Sequence, residues 1–265
     1  MAEEATQRWK WTVAYDGATY EGWQSQPSGN TIQDALERAL AEMNSMPTGI
    51  RVHGSGRTDA GVHADGQVCH VDTPARLHLD SQSWPRAMNA RLPATVRILD
   101  AEPVSDAFHA RFSVIRKTYR YQIFHGNILP PMLAKRAWRI HKHLDRNVLL
   151  QAARLLEGTH DFKAFAANRG PNCPPPRSTV RTIKRIEIVE TPDNQWFLEF
   201  TADGFLYRMV RLLVGTMIKF AHGKLLENEL KQLVYTPGPL KTSACAPAEG
   251  LYLSEVCYQG ERVPK

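Results

Sequence analysis

The segment His53-Gly54-Ser55-Gly56-Arg57-Thr58-Asp59-Ala60-Gly61-Val62-His63-Ala64 gathers groups that could do chemistry. Gly54, Gly56 and Gly61 surround one carboxylate and one guanidinium, which implies a backbone turned tightly so that short side chains can face a cleft. Two phosphate-cradling readings fail. No Gly-Lys-Ser/Thr follows, so this is not a P-loop. The sixth position from Gly54 is Asp59 and not Gly, so it is not the dinucleotide fingerprint. A metal would have to be held by His53, Asp59, His63, Asp65 and His70, at irregular spacing and without an HExxH or paired-cysteine frame. On residue types alone the loop fits a capped turn as well as a catalytic one.

The elements that position this loop follow from hydrophobic period and punctuation. Trp9 to Ala14 reads as a strand ending in the turn Tyr15-Asp16-Gly17. Thr31, with Asp34 at its N3 position, opens a helix whose buried face is Ile32, Ala35, Leu36, Ala39, Leu40 and Met43. After the Gly-rich segment come a strand QVCHVDT, a short helix from Trp84 to Ala90 and a strand TVRILDAEPV. The second half repeats the pattern. Lys117 to Phe124 alternates as a strand, and on it Tyr119 and Tyr121 share a face, with Tyr121 the better core residue. Asp145 caps a helix that Gly158 ends, and the strands TIKRIEIV and WFLEFTA follow. A long amphipathic helix is expected from about Phe205 to His222, with Arg208 and Arg211 outside its apolar stripe. A shorter helix from Leu225 to Val234 and the strand GLYLSEVCY close the chain. The pattern predicts an α+β protein of two similar halves, 1–108 and 109–265, whose mostly antiparallel sheets could join. The proline-rich stretch Asn168 to Arg177 is a loop.

Composition narrows the class. With 265 residues, 43% hydrophobic and 23% charged, the chain is globular, and disorder, collagen and coiled coil are excluded. Lys and Arg exceed Asp and Glu by 33 to 27, a net +6 that suits a polyanionic partner without proving one. Cys69, Cys173, Cys245 and Cys257 form no CxxC and fit a reducing compartment. The N-terminus lacks the pattern of a signal peptide, and the apolar run Val210 to Phe220 is too short to cross a bilayer. A cytoplasmic protein is expected.

GRTDAGVHA resembles the signature of the TruA family of tRNA pseudouridine synthases. YDGATYEGWQSQ, TIQDALERAL, FHARFSVIRKTYRY, GTHDFKAF, FLYRMVRLLVG and GLYLSEVCY resemble further landmarks of that family, in the right order along nearly the whole chain. The resemblance implies the pseudouridine synthase fold, two α/β-sandwich-like halves around a central catalytic cleft. It also implies isomerisation of uridine to pseudouridine in the tRNA anticodon stem-loop, at positions 38 to 40. A homodimer and the absence of cofactor and metal are implied as well. Asp59 corresponds to the family's catalytic carboxylate, which suits cleavage at an anomeric carbon. Arg211 resembles its cationic partner, and Tyr119 the active-site Tyr, which could stack on the base and move the C5 proton. Arg57 resembles the residue that helps extrude the target nucleotide, and Leu253 an apolar wall of the base pocket. Arg111 and Lys117 belong to basic clusters suited to RNA phosphates, although for any single member a solvated surface charge is the better reading. An RNA-binding or chaperone protein with a degenerate site and a nucleoside hydrolase are the rival readings.

Overall fold

The computed structural model describes residues 5–43, 49–168, 170, 173–236, 238 and 240–260. Within the proline-rich stretch, Arg169, Pro171 and Asn172 lie outside the described residues. The chain forms two compact units, 1–115 with 253–265, and 116–252.

In the first unit, β1 (Thr6–Tyr15) is followed by α1 (Ile32–Ala41), β2 (His53–Gly54), β3 (His63–Pro74), α2 (Ser83–Asn89) and β4 (Val96–Val104). β1 lies between β3 and β4 and pairs antiparallel with both, Trp11 standing opposite Cys69 on one side and Ala101 on the other. Strict alternation along β1 sends Trp9, Trp11, Val13 and Tyr15 to one buried face. Trp84 of α2 closes over that face, its ring 5.8 Å from Trp9 and 5.2 Å from Trp11. α1 starts where its cap requires. The Thr31 Oγ1 accepts from the Asp34 N–H at 3.2 Å and donates to the Asp34 carboxylate at 2.5 Å. Ile32, Ala35, Leu36, Ala39 and Leu40 are buried as the period predicts, whereas Met43 lies beyond the helix and is half-exposed.

β3 begins at His63, four residues earlier than the sequence reading placed it. HADG, which reads as loop, is strand because Ala64 pairs with Tyr15 and because Gly66 lies against the Ser254 carbonyl, where a Cβ would come within 2.6 Å.

The second unit contains β5 (Val114–His125, from Arg116), β6 (Trp138–Ile140), α3 (Arg146–Leu156), β7 (Gly158–Asp161), β8 (Val180–Glu190), β9 (Gln195–Ala202), α4 (Met209–Ala221) and α5 (Glu227–Tyr235). Its strands run in the order β5-β9-β8-β7, antiparallel throughout, with β6 parallel to β5. Asp145 caps α3 by accepting the Asn147 and Val148 N–H groups. α3, α4 and α5 pack on one another.

α4 departs from expectation twice. It starts at Met209, because Arg208 holds a left-handed backbone (φ 58°) that cannot continue a helix toward Phe205. It is also not a one-striped amphipathic helix, since Leu212, Gly215, Thr216 and Ile218 are buried along with the stripe Met209, Val210, Leu213, Val214 and Met217. The segment around Ala244 covers the face expected to be wet. A Cβ at Gly215 would lie 1.9 Å from the Ala244 carbonyl oxygen. The last strand, β10 (Leu251–Tyr258), stands beside β3 in the order β4-β1-β3-β10. Residues 253–265 therefore group with the first unit and not with the rest of 109–265. The protein is thus α+β with mostly antiparallel strands, and among the described residues no helix is long and apolar enough to cross a membrane.

Candidate active site

In the first unit the Gly-rich loop lies on the turn that follows β1. The Thr58 carbonyl accepts from the Trp23 N–H at 3.1 Å, and the Gly61 N–H donates to the Tyr20 carbonyl at 3.2 Å. The Asp59 carbonyl accepts from the Val62 N–H at 3.1 Å, which closes a turn carried by Gly61 at φ +77°. Below them the Tyr15 hydroxyl and the Thr58 Oγ1 hydrogen-bond at 2.9 Å in a buried position. Burial holds the Tyr15 phenol protonated, far above its ordinary range. The entry to the loop is fixed by Gln67. Its Oε1 accepts from the Ser55 hydroxyl at 2.7 Å, and its Nε2 donates to the Gly56 carbonyl at 3.1 Å.

Two glycines of YDGATYEGW make this close approach possible. Gly22 has φ +97°, and a Cβ on it would stand 2.5 Å from the Thr58 carbonyl oxygen. A Cβ on Gly17 would stand 1.9 Å from the Val62 carbonyl oxygen. The backbone is therefore clamped on both sides of Asp59. Thr58 is buried, Asp59 half-buried and Arg57 exposed, so the loop anchors through Thr58 and presents its acid and its cation.

Two of the groups a metal would need, His63 and His70, are engaged otherwise. His63, buried at the start of β3, accepts the Gly17 N–H on Nδ1 at 3.1 Å, and the Asp16 carboxylate lies 3.1 Å from the same nitrogen. His53 stacks on His70 with ring centroids 4.9 Å apart, and His109 stands 4.6 Å from His70. His70 Nδ1 accepts the Ala110 N–H at 3.2 Å. Asp65 is exposed. Among the described residues no group of His, Cys, Asp and Glu is arranged to hold a metal ion.

In the second unit, β5 carries Lys117 and Tyr119, both half-buried. Tyr119 stands across from Phe200 of β9 and meets the Phe205 ring edge-on at 5.1 Å. Tyr121 shares that face but is fully buried and donates its hydroxyl to the Pro247 carbonyl at 2.8 Å, so it is core. Arg120, on the opposite face, lies over the rings of Phe197 and Tyr252 at 5.5 and 5.2 Å. Arg211 occupies the first turn of α4 and is half-buried. Its Nε donates to the Ala246 carbonyl at 2.8 Å, while its own carbonyl accepts the Ala246 N–H at 3.0 Å. One residue therefore fixes both the backbone and the side chain of Arg211. Of the remaining expected site residues, Leu253 is fully buried in β10, and Arg111 is exposed with its guanidinium 5.6 Å from the Phe112 ring.

The structure thus brings Arg57 and Asp59 together on one loop, and Lys117 and Tyr119 on one strand. Sequence reasoning missed the residues that hold these groups in place, namely Tyr15, Gly17, Gly22 and Gln67 in the first unit and Ala246 in the second. The glycine spacing of YDGATYEGW is a signal for Gly17 and Gly22, whereas nothing in the sequence marks Gln67 or Ala246.

A family model described as tRNA pseudouridine synthase matches residues 12–113 and 152–259. Asp59 lies in the first stretch and Arg211 in the second, whereas β5, with Lys117 and Tyr119, falls between them. The chain belongs to the tRNA pseudouridine synthase family. It is 48% identical over 257 residues to tRNA pseudouridine synthase A of Akkermansia muciniphila, covering 96% of both chains. It is 40% identical to tRNA pseudouridine synthase A 1 of Protochlamydia amoebophila, over 96% of this chain and 97% of the relative. The Bacillus subtilis tRNA pseudouridine synthase A is also 40% identical, over 95% of this chain and 99% of its own. As a member of this family the chain is an isomerase.

Proposed function

We propose that the chain converts uridine to pseudouridine in the anticodon stem-loop of tRNA, at positions 38 to 40, with Asp59 as the carboxylate acting on the ribose. The observation that carries this reading is the clamped loop. Thr58 is tied beneath it at 2.9 Å to Tyr15, and the half-buried Asp59 is held in a fixed turn. A rigid backbone of this kind holds a reacting group in place without reorganisation during the reaction.

In the reaction the N1–C1′ bond breaks, the uracil rotates, and a C5–C1′ bond forms. The C5 proton leaves and N1 gains one, so no electrons are lost or gained. Asp59 acts either as a nucleophile at C1′ or as the base that generates a glycal, and the residues present serve both routes. Arg211 is the cation for Asp59, with its fork oriented by the Nε bond to Ala246 at 2.8 Å. Tyr119 lies against the base and moves the C5 proton. Arg57 fills the gap left by the extruded nucleotide, Leu253 backs the base, and Arg111 and Lys117 meet phosphates. The working form is a cytoplasmic homodimer, which light scattering of the purified protein tests.

Tritium release from tRNA carrying 5-³H-uridine tests the reaction, because only reattachment through C5 expels that hydrogen. Wild-type protein should release tritium and no free uracil. Asp59→Asn keeps the shape and removes the charge. It should abolish release while holding tRNA affinity within about tenfold, roughly 1.4 kcal/mol. Substantial release by Asp59→Asn would end its assignment, and free uracil would indicate a hydrolase.

A further inference from the structure

A groove of about 450 Å³ opens on the second unit between β6, the C-terminal half of α4 and residues 243–246. Its lining includes the exposed cations Arg139, Lys142, Lys219 and Lys224, together with His141 and His222. Among the described residues that line it there is no Asp or Glu. The nearby acid on α5, Glu227, pairs with Lys231 at 2.6 Å. The Nε2 of His222 is buried and has no hydrogen-bond partner among the described residues. Burial, and then the charges of Lys142, Lys224 and His141, hold the His222 imidazole below its ordinary range.

Lys219 and Lys224 alone would be explained by the end of α4, where the helix dipole favours cations. That account leaves out Arg139 and Lys142, which come from β6 and the residues after it. Cations brought from separate elements into one concavity without carboxylates repel one another, and a bound polyanion relieves that repulsion. Ammonium groups at the rim and an apolar floor that includes Ile140 and Ile218 suit a chain of phosphates better than a single buried anion.

We propose that this groove holds the phosphate backbone of the substrate RNA, through residues other than those of the Asp59 loop. The proposal rests on the reading of the chain as an enzyme that acts on tRNA.

The test is the variant Lys142→Gln/Lys219→Gln/Lys224→Gln, in which all the changed side chains are exposed. Its tRNA dissociation constant should rise about tenfold or more, and the log–log salt slope should flatten by roughly two to three units, one per lost phosphate contact. The value of kcat/KM for tritium release should fall in step, through KM. Equal affinity, salt slope and kcat/KM in both proteins would overturn the groove while wild-type turnover still upheld the enzymatic reading. Weakened RNA binding by the variant, with no tritium release by wild type, would uphold the groove and sink that reading. Cys245, exposed on the groove wall, gives a second measurement. Saturating tRNA should slow its alkylation by iodoacetamide several-fold. Alkylation that tRNA leaves unchanged, or that ATP slows and tRNA does not, would overturn the proposal.

Discussion

Replacing Gly22 with alanine tests whether the bed of the Gly-rich loop positions Asp59. Gly22 combines a left-handed backbone, φ +97°, with a Cβ position 2.5 Å from the Thr58 carbonyl oxygen. The left-handed conformation costs an L-residue roughly 1–2 kcal/mol. Overpacking against backbone, which cannot swing aside as a side chain can, costs roughly 1–3 kcal/mol. Gly22→Ala should therefore destabilise the protein by about 2–5 kcal/mol. The displaced backbone is that of Thr58 and Asp59, so the surviving folded enzyme should also turn over more slowly. A displacement near 1 Å can cost about a hundredfold in rate. Two further glycines separate the causes. Gly29 has φ +67° and open space, its nearest neighbour being an Arg38 terminal nitrogen at 3.8 Å, so Gly29→Ala should show the backbone cost alone and normal turnover. Gly17 has an ordinary backbone but a Cβ position 1.9 Å from the Val62 carbonyl oxygen, so Gly17→Ala should show the steric cost and slow turnover. Urea unfolding and single-turnover tritium release measure both quantities. A Gly22→Ala protein indistinguishable from Gly29→Ala in stability and rate would refute the clamp.

Arg211→Lys keeps the charge but loses the Nε bond to Ala246, and should keep partial activity. Arg211→Met should keep almost none and should lose about 1–3 kcal/mol of stability as the part-buried Ala246 carbonyl loses its guanidinium donor. Tritium release and urea unfolding read the two effects, and full activity in the Met variant would remove Arg211 from the mechanism. His70 supplies a pH dependence. Burial, followed by the charges of His53 and His109, lowers its pKa from 6.5 to about 4. The unfolded chain therefore takes up this proton first. The stability that His70 contributes is whole above pH 6.5 and is lost as pH falls toward about 4. His70→Asn, which can still accept the Ala110 N–H, should flatten the stability profile across that window. An unchanged acid limb in urea unfolding would show that other groups govern it.

What the sequence by itself determined is local. Thr31 and Asp145 place the starts of α1 and α3 because a cap is a contract between residues two or three apart. The alternation in β1 and the period of α1 select their buried faces, since the pleat and the helical turn are properties of the backbone. The order of the motifs likewise pointed to the family, which the family model and the relatives bear out. What only the tertiary structure decided depends on residues far apart in the chain. HADG became strand because Tyr15 and Ser254 lie alongside it. α4 is buried nearly all round because the segment near Ala244 covers the face that periodicity left for water. The groove cations are scattered from Arg139 to Lys224, where each reads as an ordinary surface charge. Local hydrogen bonds and periodicity are encoded within a few residues, whereas burial and charge density are sums over neighbours that only the folded chain supplies.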